Sequence, residues 1–374
     1  MDGNCPHEWE KWKTQRSTFI PDWNLDRSID DTLFSDPFFL NDLFLARIPH
    51  VHYASSLPPL KDPIPSSCPK YVFVEPHRSR GLGHRLSNCF QGAMLAETFN
   101  LTLLVTNIDD SWEVQDHGSY PGMTEFLGLN LPTDLLLSET TITQTLKIPE
   151  PEIQDPDPAT LEKYWPEIPS MISNASCHTL FDFHEFWPSG FAPAIPAFRR
   201  RIIPRHFARL AENHAWRTPG RLHVAVHVRV GDWTPSAPSH YIAQLAALLD
   251  RVSAPVTIHV ITQNAKGAEP VFEFLAAKGV PVVRWIDSEM LAVIDVMLGS
   301  DVVLISDSSI AKHLAQMSIR PVVFAASARG VIRDKEDVVV DMWGTIDEAL
   351  ISEVVERLDV RWKALQCAAG FLNF

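Results

Sequence analysis

The chain lacks any stretch approaching the ~20 consecutive apolar residues that a membrane-spanning helix requires, so the sequence predicts no membrane span. It also lacks a basic, apolar and small-residue leader at its start. The chain as given therefore reads as cytoplasmic, or as Golgi or secretory lumen if an N-terminal anchor has been removed. Cysteine is sparse: Cys5, Cys68, Cys89, Cys177 and Cys367 are scattered, without a Cys-x-x-Cys pair or a Cys/His cluster. That pattern speaks against a structural zinc site, and no metal is expected. An odd cysteine count fits a reducing compartment, or one or two disulfides with a leftover thiol. Positive charge is in deficit as well. A formal net charge of −14 opposes a nucleic-acid surface, while leaving room for local basic loops that hold one phosphorylated small molecule.

What is present is ample: 374 residues with 45% hydrophobic content, enough for two domains. Residues 1–67 carry Trp9, Trp12, Trp23 and the pair Phe38-Phe39 among several prolines, without sustained periodicity. They read as an N-terminal extension packed on the core, because so many exposed aromatics would cost solubility. From residue 68 the pattern becomes strand Tyr71–Val74, a glycine loop, a helix at 84–99 and strand Leu101–Thr106, a single βαβ unit. The segment 107–195 is rich in proline and acid, as in Asp155-Pro156-Asp157-Pro158, and reads as long loops. Within it, Phe181 to Phe186 alternates polar with aromatic, which predicts a half-buried edge strand.

Beyond 220 the alternation is regular. Strands are expected at Leu222–Val228, Val256–Ile261, Val280–Ile286, Val302–Ile305 and Pro321–Phe324, with helices near 240–252, 269–278, 288–299 and 309–317. Alternating βα units with near-continuous apolar strands specify a parallel sheet covered by helices. A final amphipathic helix near 345–366 is expected to cross back over the first lobe. The predicted fold is α/β: two Rossmann-like lobes facing a cleft. The expected division is an extension at 1–67, a first lobe at 68–215, a second lobe at 216–345 and the returning helix at 346–374.

Three loops carry chemistry. His227-Val228-Arg229-Val230-Gly231-Asp232 closes a buried strand, placing a guanidinium where ligands bind in open α/β sheets. A planar five-donor fork suits a pair of phosphate oxygens and keeps its charge. Upstream, Arg80-Gly81-Leu82-Gly83-His84-Arg85-Leu86 joins a strand to a helix. Its glycines let backbone approach an anion, and the helix start offers free N–H groups. The third is Ser306-Asp307-Ser308-Ser309. Ser308 or Ser309 makes an N-cap worth about 1 kcal/mol, and the same hydroxyls and N–H groups suit a pyrophosphate, with Asp307 accepting from a base or ribose. Two glycosylation sequons complete the inventory. Asn100-Leu101-Thr102 lies where a helix passes into a strand and reads as chance; Asn174-Ala175-Ser176 is a surface site if the chain is secretory.

In order and spacing the three loops resemble the GDP-fucose-dependent fucosyltransferases of the two-lobed GT-B type, which include protein O-fucosyl, α1,2- and α1,6-transferases and the bacterial nodulation enzyme. The resemblance covers roughly 70–330. It implies an inverting, metal-independent glycosyltransferase that moves fucose from GDP-fucose, the donor substrate, to a hydroxyl of a glycan or glycoprotein, with no cofactor. Arg229 would bind the β-phosphate and stabilise departing GDP, His227 would orient the phosphate or strand end, and Asp232 would brace Arg229. Gly81, Gly83, Arg85, Asp307, Ser308 and Ser309 complete the implied donor site. Val230 stands where linkage-specific members carry a second arginine, and His84 where the first loop often has asparagine.

An inverting transfer needs a base for the acceptor hydroxyl. Glu75, His77, His84, Asp182, His184 and Glu185 are all open as candidates, with Glu75 and His77 favoured by their place at a strand end; His84 reads equally as a contact to the acceptor or donor sugar or as a surface residue. Two other readings compete. Gly81-Leu82-Gly83 followed by Asp109 or Asp110 suits an NAD(P)-dependent oxidoreductase, although the third glycine position is not occupied. A catalytically inactive nucleotide-binding or interaction protein on the same fold is the other.

Overall fold

The computed structural model describes residues 67–74, 82–105, 108, 120–127, 142–148, 167–183, 216–218, 220–229, 237–305 and 308, strands 322–325 and 338–341, and helical residues near 310–314 and 351–363. They fall into two units, one built from 56–206 with 308–317 and the other from 207–307 with 318–374.

Strand β1 (Tyr71–Val74) of the first unit leads to helix α1 (Leu82–Phe99) and then β2 (Thr102–Val105). The expected βαβ unit is present, but α1 begins two residues earlier than the spacing predicts. Gly83 therefore lies in the first turn of the helix. α1 packs closely on the sheet through Gly92, where an added Cβ would collide with Val74 Cγ2 and come within 3.2 Å of Leu103 Cδ1. The single turn α2 (Met123–Phe126), β3 (Gln144–Lys147), α3 (Ile168–Asn174) and β4 (Thr179–Phe183) follow.

These last elements correct the expectation of long loops across 107–195. The sheet order is β2-β1-β4-β3, and every pairing is parallel. β4 also departs from the edge-strand expectation: it is paired on both sides, with Leu180 opposite both Tyr71 and Thr145. Its alternating burial still follows the period-2 pattern, with Phe181 and Phe183 in the core. A disulfide between Cys68 and Cys177 ties the residues just ahead of β1 and β4. Beside it, His178 N–H donates to the Pro69 carbonyl at 2.7 Å and Lys70 Nζ to the Ile172 carbonyl at 2.6 Å.

The second unit runs β5 (Leu222–His227), α4 (Pro238–Leu249), β6 (Val256–Thr262), α5 (Ala265–Ala277), β7 (Val282–Ile286), α6 (Met290–Gly299), β8 (Val302–Ile305), β9 (Val322–Ala325) and β10 (Val338–Asp341). β10 was not foreseen. The six strands are all parallel, in the order β10-β9-β8-β5-β6-β7. Central β5, β6 and β8 are almost wholly buried, with α4, α5 and the C-terminal helix packed against the face that carries Val224, Val226, Ile258 and Leu304, whereas edge strand β7 is mostly half-exposed.

The C-terminal helix corrects another expectation. Ile351, Val355 and Leu358 join Val224, Val226, Val256 and Ile258 in the core of this second unit, and Ser253 Oγ donates to Asp359 at 2.8 Å. The helix was expected to return to the first lobe. Its apolar stripe was legible in the sequence, but the stripe does not name the surface that it covers.

Candidate functional site

The order of the six-stranded sheet defines a crevice. From β5 the chain steps to β6 and β7 on one side, then crosses to β8, β9 and β10 on the other. Neighbouring connections therefore part company beyond the carboxyl ends of β5 and β8, and in open α/β sheets ligands bind at such a switch point. The pairing Val226↔Leu304 makes His227 and Ile305 the next residues on the two strands. Val228 N–H still donates to the Ile261 carbonyl at 2.8 Å, so the backbone is held up to the residue before Arg229. Arg229, half-buried, follows on this fixed stem.

Burial and the neighbouring Arg229 charge push the His227 imidazole down to about 4. At neutral pH the pair thus presents a neutral imidazole beside a permanent guanidinium. That combination offers a delocalised cation with bidentate geometry plus one neutral hydrogen-bonding ring, suited to a phosphate-bearing ligand. Ser308 lies past the end of β8, 5% exposed, shortly ahead of helical residues 310 and 311. It groups with the first unit, as does His313, whose ring meets Phe90 edge-on with centroids 4.9 Å apart.

The first unit has its own switch point, between β1 and β4. Gly83 sits at the start of α1 on the side where β1 ends. Arg85 is 4% exposed; its Nη1 donates to the Ile108 carbonyl at 3.2 Å, and its guanidinium carbon lies 5.6 Å from the Tyr120 ring centroid. Arg85 thereby holds together chain that follows β2, a structural task that the motif did not announce. Thr124 Oγ1 assists by accepting from Ile108 N–H at 3.1 Å.

The structure thus brings His227 and Arg229 together, and puts Gly83 and Arg85 at one helix start in the other unit. Glu75, His77, Gly81, Asp109, Asp110, His184, Glu185, Asp232, Asp307 and Ser309 lie outside the described residues, as does the side chain of His84. Asp182, on β4, is half-buried. Among the described residues no group of three or more His, Cys, Asp or Glu is placed to hold a metal ion.

Sequence reasoning missed a buried polar chain at the opposite end of the second sheet. His223 on β5 and His259 on β6 are both 0% exposed, with His223 Nδ1 2.8 Å from His259 Nε2. Trp285 Nε1 donates to His259 Nδ1 at 3.1 Å. Asp301 accepts from His223 N–H at 2.7 Å and pairs with Arg217 at 3.6 Å. Both histidines sit inside strongly apolar, buried runs, which hid them.

Comparison with known proteins gives no matching protein-family model and no matching curated protein. Similar solved structures are found. A crystal structure of POFUT1 in complex with GDP-fucose is 14% identical, covering 70% of this chain and 99% of that one, with a TM-score of 0.40. The fucosyltransferase NodZ from Bradyrhizobium is 13% identical over 68% of this chain and 95% of its own, TM-score 0.35. The E. coli heptosyltransferase WaaC, with ADP-2-deoxy-2-fluoro heptose, is 11% identical over 77% and 99%, TM-score 0.37. At such identities the chemistry of this chain has to come from its own residues.

Proposed function

We propose that this chain is a GT-B-type glycosyltransferase that moves fucose from GDP-fucose to a hydroxyl of a glycan or glycoprotein acceptor, with inversion and without a metal ion. The observation that carries the reading is Arg229, standing just past β5 at the switch point of a six-stranded parallel sheet, beside neutral His227. In the reaction the acceptor oxygen forms a bond to the anomeric carbon while that carbon's bond to the β-phosphate oxygen breaks. Negative charge grows on the departing diphosphate, where a preorganised guanidinium stabilises the transition state more than the ground state. His227, uncharged, donates or accepts a hydrogen bond without competing for the anion. Asp232 braces Arg229, and Asp307, just past β8 in the same unit, contributes a further donor contact. The acceptor hydroxyl gives up its proton to a base as the new bond forms.

The oxidoreductase reading is not favoured. In the segment after β1, Gly81-Leu82-Gly83-His84-Arg85-Leu86, the third glycine position of a dinucleotide fingerprint is taken by Leu86, which is fully buried. Calorimetric titration of GDP, GDP-fucose, UDP, ADP and NAD into wild type and Arg229→Ala tests the proposal. GDP-selective binding that the substitution abolishes supports it. NAD binding that survives the substitution sinks it in favour of the oxidoreductase, and failure to bind any nucleotide sinks it in favour of an inactive interaction protein.

A further inference from the structure

We infer that Asn174 carries an N-linked glycan, added in a disulfide-forming secretory compartment. Three features of the first unit meet here. Asn174-Ala175-Ser176 is an Asn-x-Ser sequon without proline at its centre. Asn174 is the last residue of α3 and Ala175 turns the chain extended, at φ −69° and ψ 146°. Both Asn174 and Ser176 are exposed, and among the described residues Ser176 Oγ makes only long contacts, 3.4 Å to Gln144 Oε1 and 3.3 Å to Thr179 Oγ1. An attached sugar therefore projects into solvent without displacing packed side chains.

The disulfide supplies the second, chemically unrelated pointer. Cys177, the residue after the sequon, is bonded to Cys68, and disulfides persist in oxidising compartments while cytosolic thiols stay reduced. The described free cysteine, Cys89, is buried, so its thiol has no access for exchange with that bond. An oxidising lumen is also where N-glycosylation takes place. The other sequon is less open: Leu101 is 4% exposed, and Thr102 is half-buried and paired with Tyr71 in the sheet.

The position is compatible with a ligand site in the same unit. Because all four strands are parallel, their amino ends share one edge, where the α3-to-β4 turn lies. The start of α1 lies at the other edge. The transfer joins Asn174 Nδ2 to the anomeric carbon of an oligosaccharide carried on a lipid diphosphate. The carbon–phosphate oxygen bond breaks, the lipid diphosphate departs, and the amide loses one proton to a base of the transferring enzyme. None of this depends on which reaction the protein catalyses.

The test is to route the full chain through the secretory pathway of a eukaryotic host behind a cleavable leader. Peptide mapping under non-reducing conditions follows, before and after peptide N-glycosidase, which converts a glycosylated asparagine to aspartate. The expected result is a Cys68–Cys177 linked peptide with aspartate at 174 after the enzyme, and loss of that conversion in Ser176→Ala with the disulfide retained. A secreted, disulfide-bonded protein with unmodified Asn174 overturns the inference. So does a chain isolated from its native cells with Asn174 bare and both cysteines free. GDP binding is read on the same samples, so failure of the glycan and failure of the donor site are seen separately.

Discussion

The hydrogen bond between His223 and His259, 2.8 Å from Nδ1 to Nε2, has a polarity set by a third residue. The indole N–H of Trp285 can only donate, so His259 Nδ1 accepts it and the neutral ring carries its proton on Nε2. That proton points at His223 Nδ1, which leaves the His223 proton on Nε2, directed at the Thr218 carbonyl 3.1 Å away and crowding the Thr218 N–H 3.2 Å from the same nitrogen. A one-way neutral chain from Trp285 to Thr218 results, and a second proton on either imidazole would set two N–H groups against each other.

Acid stability follows from that chain. Burial and the Arg217 charge push both rings down to about 3, against a partial opposing pull from Asp301. Below the ordinary histidine value of ~6.5 the unfolded chain takes up protons that the folded chain refuses, so stability falls as pH drops from there towards 3. It is fully present above ~6.5. Each histidine adds a slope of up to about 1.4 kcal/mol per pH unit inside this window. Urea unfolding at pH ~7.5 and ~5 measures it; equal stability at both would show that the pair is not held neutral.

Loss of the Cys68–Cys177 bond is predicted to destabilise the first unit. It closes a loop across a sequence separation of 109, and removing a native disulfide costs ~2–5 kcal/mol, with loops near ~100 residues at the upper end in the chain-entropy picture. Cys177→Ser should lower the urea midpoint, and a reductant should lower wild type to match. A variant as stable as wild type would place the stabilising work in the neighbouring backbone bonds.

Gly92→Ala should also destabilise, although alanine is the better helix former by ~1 kcal/mol. The added methyl meets Val74, fully buried in β1, and overpacking of a filled core costs ~1–3 kcal/mol. A double-mutant cycle with Val74→Ala separates the causes: removing the colliding methyl should make the pair less damaging than the sum of the singles. Simple additivity would refute the close contact.

Much of the second unit could be read in advance, because β5, β6 and β8 are apolar runs bounded by loops, and such runs declare buried parallel strands. The first unit was less legible. β3, Gln144-Thr145-Leu146-Lys147, is a largely exposed edge strand with no hydrophobic pattern, and without it β4 reads as an edge. Alternation in Thr179–Phe183 reveals which face is buried, but whether a strand is interior depends on partners far along the chain. The disulfide was open for the same reason: five scattered cysteines admit many pairings. At the site, Arg229 was legible because strand end and charge adjoin in sequence. Arg85 was not, since its carbonyl partner, Ile108, lies beyond the next strand.

Arg229 and His227 are coupled, and that coupling gives the proposed donor site a signature besides rate. Arg229→Ala removes a cation whose charge helps hold His227 low, so the imidazole's titration should move upward, visible in its NMR ring resonances. Nucleotide diphosphate bound to wild type should move it the same way by bringing negative charge close. If Arg229 stabilises the leaving group, Arg229→Ala should lower kcat by ~10²–10³, the range for removing a preorganised anion donor. Arg229→Lys should recover only part, because a point charge cannot reproduce the bidentate fork. A kcat loss without movement of His227 would place Arg229 away from the ring. Movement without a kcat loss would leave it a binding residue that the transition state does not use.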